Sequence, residues 1–106
     1  MYNDSFLSFY LNTYRIHVFR KTIHDIGNPR YIRFLVKEDG QSMIMEACAK
    51  KDQRSHRVTR QASPSGGMEV NSMPLCQLLK NRLDWEDGKT YRVPGRTAAP
   101  YLRGRL

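Results

Sequence analysis

Three histidines, two cysteines and ten acids carry whatever catalytic or metal chemistry this chain of 106 residues could perform. His17, His24 and His56 stand at none of the spacings that bring metal ligands together, and His17 and His24 fall on different predicted elements. Cys76 lies near the start of a predicted helix, where a thiolate would be stabilised. Its neighbours Leu75, Leu78 and Leu79 instead predict an inert, buried thiol. Asp84, Glu86 and Asp87 cluster around a turn, where acids serve solvation and turn chemistry, and the other acids are scattered. Gly66-Gly67 does not make a phosphate-binding loop. No base stands beside a nucleophile with a third group to orient it. The expectation is a protein that is not an enzyme and has no cofactor and no metal.

The cations point to a different chemistry. Lys and Arg total 18 against 10 Asp and Glu, giving a net charge of +8 and a pI near 9.9. Such a balance makes nucleic acid a serious partner, although acidic protein surfaces and anionic lipid answer the same field. Two groups stand out. Lys50, Lys51, Arg54, Arg57 and Arg60 share a stretch with the single acid Asp52. Arg92, Arg96, Arg103 and Arg105 form the second group, interleaved with Tyr91 and Tyr101. Lysine and arginine neutralise phosphates by releasing counterions, and the guanidinium fork suits paired phosphate contacts. Aromatic residues among them suit single-stranded or RNA contacts. Trp85, following a leucine stripe, is expected as a core plug rather than a stacking platform.

The elements that must position these groups read as a small α+β domain with an antiparallel sheet. Arg15 to Phe19 alternates as a strand, and a short helix at about 20–26 ends at Gly27. Arg30–Lys37 and Ser42–Cys48 make a hairpin around a Glu38-Asp39-Gly40-Gln41 turn. Ile32, Phe34 and Val36 share one of its faces. Residues 63–67 read as a flexible turn. Asn71-Ser72 offers a cap, Pro74 suits a first turn, and Leu75, Leu78, Leu79 and Leu83 mark the main amphipathic helix at about 74–84. Thr90 to Val93 is a strand that Pro94-Gly95 is expected to stop. The two halves share a strand–helix–Gly–strand plan, so a β-α-β pseudo-repeat is among the expected architectures. The predicted organisation is an N-terminal arm at 1–14, one domain at 15–95 and a basic C-terminal tail at 96–106. The arm, "MYNDSFLSFYLNTY", is too polar and interrupted for a signal peptide and is expected as an added edge strand or a mobile arm. No apolar run approaches the roughly 20 residues of a membrane span. Cys48 and Cys76 suit a reduced, cytoplasmic protein, and the sequence leaves open whether they pair.

The stretch Met68-Glu69-Val70, Pro74-Leu75, Leu78-Leu79, Leu83, Gly88 and Tyr91-Arg92-Val93 resembles the half-barrel of the AbrB/MazE/SpoVT swapped-hairpin family. Ile16, Val18, Ile26, Gly27 and Ile32 to Val36 resemble it more loosely. "GNPRYIRFLV" followed by "SMIMEAC" is similar to small bacterial proteins with a G-N-P-x-Y-[IV] hairpin. The family resemblance implies a barrel built from two chains, hence a homodimer, and DNA binding through basic residues on its sheet side. The chain carries Asn71-Ser72-Met73 where that family has Gly-Arg before its proline. Residues and resemblance together lead to a non-catalytic DNA-binding protein, such as a small transcriptional regulator. The alternative is a phage- or mobile-element-encoded interaction module, which inhibits a host nucleic-acid enzyme through an acidic surface in the manner of anti-CRISPR proteins.

Overall fold

A computed structural model describes residues 5–38, 40–58, 67–98 and 101–106. Period-two alternation runs through most of it. The strands are β1 (Ser5–Tyr10), β2 (Arg15–Val18), β3 (Tyr31–Val36), β4 (Ser42–Cys48), β5 (Ser55–Arg57), β6 (Met68–Asn71), β7 (Thr90–Ala98) and β8 (Tyr101–Arg105). Helix α1 (Arg20–Asp25) joins β2 to β3, and α2 (Met73–Leu83) joins β6 to β7. The eight strands form one sheet in the order β5-β3-β4-β8-β7-β1-β2-β6, every pair antiparallel. The sheet curls into a nearly closed barrel, with β5 and β6 as its two edges.

The inward residues follow from the register. Phe9 stands opposite Ile16, which stands opposite Val70; Leu7 stands opposite both Val18 and Val93; Met45 stands opposite Leu102. All of these are buried and belong to one continuous core with Ile32, Met43 and Met68. Burying each such side chain is worth about 1.5–3 kcal/mol. Gly95 and Gly104 face each other across β7 and β8. A Cβ on Gly95 would lie 2.7 Å from Leu102 Cδ1 and 2.8 Å from the Arg103 carbonyl oxygen. The missing side chains therefore let the two strands approach their neighbours closely at that level.

The helices seal the ends. Helix α2 sits where the β1–β2 and β3–β4 turns gather. The Ser72 N–H donates to the Tyr14 carbonyl, and the Arg82 guanidinium reaches the Glu38 carbonyl. Cys76 and Leu79 point into the core and are fully buried, while Leu75, Leu83 and Trp85 pack against it. Helix α1 follows β2 at the opposite end, lies against β1 and β7, and buries Thr22 and Ile23.

This architecture corrects the expected α+β fold organised on one main amphipathic helix. The chain is mostly sheet, and α2 is a plug that buries two of its residues. The strand–helix–strand order does recur, as β2-α1-β3 and β6-α2-β7, but the two strands of each unit are not neighbours in the sheet: β2 pairs with β1 and β6, whereas β3 pairs with β4 and β5. The physical reason is that most of the apolar residues alternate, so the greater part of the apolar surface lies on strands and can be buried only by curling the sheet onto itself. The N-terminal segment forms β1, an interior strand paired on both sides. Strand β7 runs through Pro94-Gly95 to Ala98, and residues 101–105 form β8. The flexible turn expected at 63–67 lies outside the described residues apart from Gly67, as does Asp39 of the hairpin turn.

Candidate nucleic-acid interface

Strands β7 and β8 place arginines on the outer surface of the barrel because Val93, Gly95, Leu102 and Gly104 take the inward positions. Arg96 stands directly opposite Arg103, and Arg103 stands opposite Ile44 of β4. Tyr101, two residues before Arg103, is 47% exposed. Ile44, Arg96, Tyr101 and Arg103 line an open cavity of about 530 Å³. Its lining is mostly apolar, and two of the residues that line it are arginines. Among the described residues no carboxylate pairs with either arginine. Like charges placed opposite each other on a sheet are destabilising, and a bound anion between them removes that repulsion.

Six of the described carboxylates are engaged elsewhere. Glu69 pairs with Arg15, Asp25 with Lys21 at 2.8 Å, Asp87 with Lys80 at 2.6 Å, and Glu86 with Lys89 at 2.7 Å. Glu46, opposite Tyr101, accepts hydrogen bonds from Arg33, which also reaches Asp52 at 3.2 Å. That bond lifts the Arg33 guanidinium above its ordinary value and compensates the carboxylate nearest the cavity.

The sequence-predicted basic residues fall into two separate groups. Arg92 projects from the same face of β7 as Arg96, with its guanidinium 5.8 Å from the Phe19 ring. Arg105 pairs through its backbone with Ser42. Lys50, Lys51 and Arg54 lie on the exposed β4–β5 connection, and Arg57 projects from the edge strand β5 opposite Tyr31. The Arg54 backbone N–H donates to Asp52, leaving its side chain exposed. The Arg33–Glu46–Asp52 cluster sits between this group and the β7–β8 arginines. Arg60 lies outside the described residues.

Two aromatic assignments separate. Tyr91 stacks on Trp85 with ring centroids 4.5 Å apart, and its hydroxyl accepts from the Glu86 N–H, so it is a structural group rather than a contact residue. Trp85 also meets Phe9 at 5.5 Å, which makes it part of the core lining. Ile44 is the cavity residue that sequence reasoning missed. Its signal was present: it is the outward member of the Met43-Ile44-Met45 triplet, whose flanking methionines point inward.

Of the remaining reactive groups, His24 is exposed and Cys76 and His17 are buried. Both cysteines are free. Burial pushes the Cys76 thiol up to about 11 and raises that of Cys48 as well. His17 and His56 are held below the ordinary histidine value, chiefly by burial. Among the described residues, no three or more His, Cys, Asp or Glu side chains gather where they could hold a metal ion, and no helix is long and apolar enough to cross a membrane. Comparisons with protein-family models, with curated proteins and with solved structures return no match to this chain.

Proposed function

We propose that the protein is a non-catalytic nucleic-acid binder that holds backbone phosphates on the outer face of β7 and β8. The observation that supports this reading is the opposition of Arg96 and Arg103, exposed and without a carboxylate partner among the described residues. Two guanidiniums on adjacent strands suit phosphate oxygens, which accept from both at once. Lys50, Lys51, Arg54 and Arg57 supply a second, more distant contact, so that a bound strand would pass over β3 and β4 between them. Base readout is not part of the proposal, because phosphate contacts position a protein without specifying sequence.

The test is fluorescence anisotropy with labelled duplex and single-stranded DNA across about 50 to 200 mM salt. Affinity should fall steeply as salt rises. The Arg96→Gln, Arg103→Gln double variant should weaken binding and reduce the log–log salt slope by about 2. No binding to either nucleic acid at low salt would overturn the proposal. Retention of a protein from nuclease-treated lysate would then favour the alternative partner, an acidic surface on a nucleic-acid enzyme.

A further inference from the structure

We infer that the β7–β8 cavity is a single-strand site that takes one unstacked base, with the base on Tyr101 and Ile44 and its flanking phosphate between Arg96 and Arg103. This inference rests on the proposed phosphate-binding function and adds the substrate class. A duplex backbone presents only phosphates and sugars to a surface, and flat, solvated arginines would satisfy it. The observed site is different. It is concave, about 530 Å³, and within the range of volumes that enclose a small ligand. Ile44 supplies apolar wall behind Arg103, its direct cross-strand neighbour. Tyr101 offers an aromatic ring that is 47% exposed, unlike Tyr91, which is already covered by Trp85. A mostly apolar lining to which two exposed arginines contribute matches a ligand that is planar and apolar in one part and anionic in the next. A nucleotide within a single strand has that form, and its bases are free to leave the stack. The nearest carboxylate, Glu46, is engaged by Arg33 and so presents little net repulsion to a phosphate.

The experiment compares fluorescein-labelled oligo-dT, oligo-rU and a duplex of equal phosphate number at one salt concentration, with native protein and with Tyr101→Leu, Tyr101→Phe and Ile44→Ser. The single strands should bind at least about tenfold tighter than the duplex. Tyr101→Leu should weaken single-strand binding by roughly tenfold and leave duplex binding unchanged, because one base–aromatic stack is lost. Tyr101→Phe, which keeps the ring, should restore binding. An oligo-dT carrying abasic positions throughout should lose the preference over duplex. Near-ultraviolet circular dichroism and the thermal midpoint check that each variant folds. Equal, salt-dependent affinity for duplex and single strand, insensitive to Tyr101→Leu, would overturn the single-strand site and leave phosphate binding standing. Absence of binding to all three would overturn both.

Discussion

His17 shows how far a single residue's surroundings set its chemistry. Its side chain is 7% exposed, meets the Phe19 ring edge-on at 4.4 Å, and lies 4.0 Å from Glu69. Burial lowers its proton affinity, Glu69 opposes that, and Arg15 adds to it. His56, packed against Phe34, is lowered by burial alone. A basic group whose affinity is depressed in the folded state lets the unfolded chain take up protons first as pH falls below about 6.5. Stability is therefore full above that value and declines below it, until the folded imidazoles themselves protonate. The thermal midpoint should drop between about pH 7 and pH 5, and His56→Gln should flatten that drop. A midpoint that rises on acidification would contradict the assignment. Cys76 provides a second residue-scale test. With a thiol raised to about 11 and fully buried, it should resist alkylation in the native protein at about pH 8 and be alkylated only in denaturant. Mass spectrometry of the alkylated chain distinguishes the two states.

At the scale of elements, the leucine stripe marked a helix but not the helix's rank in the fold. Leu79 is fully buried, whereas Leu78 is 38% exposed one position earlier. Leu79→Ala should cost about 2–5 kcal/mol in urea unfolding, and Leu78→Ala less than about 1 kcal/mol. Comparable losses at both positions would mean that α2 buries a broader face than the plug described. The β7–β8 level that carries the candidate site depends on Gly95. Its Cβ would strike the Arg103 carbonyl, which is backbone and cannot turn aside. Gly95→Ala should therefore destabilise by about 1–3 kcal/mol, read by the same denaturation. Pro94-Gly95 looked like a stop because both residues usually end strands. Here the proline takes its place opposite Phe6 in the β1 ladder, and the glycine makes room for Leu102. A local signal gave the right residue types and the wrong consequence, because the need for space came from a strand that follows later in the chain.

For the whole molecule, the decisive fact is that β1 is interior. It pairs with β2 on one side and β7 on the other, and it contributes Leu7 and Phe9 to the core. Deleting residues 1–10 should abolish cooperative unfolding, as followed by denaturant titration, rather than trim a dispensable arm. A truncated chain that still unfolds in one sharp transition would contradict this. The sequence left an added edge strand and a mobile arm open for this segment, because the polar Ser8 and Tyr10 alternate with Leu7 and Phe9 and an isolated stretch does not show that strands lie on both sides of it. The hairpin of β3 and β4 was legible, since its partners are adjacent in the chain and its turn is local. Likewise, Arg96 and Arg103 were legible as candidate contacts from charge and residue type, but their opposition was not. Composition, period-two alternation and turn chemistry thus determined which residues share a face in the hairpin and which cations are available. Which strands neighbour one another, and so which arginines stand opposite each other beside a mostly apolar cavity, was decided only in the tertiary structure. Pairing between segments distant in sequence depends on closing the sheet around one shared core, and no local propensity encodes that closure.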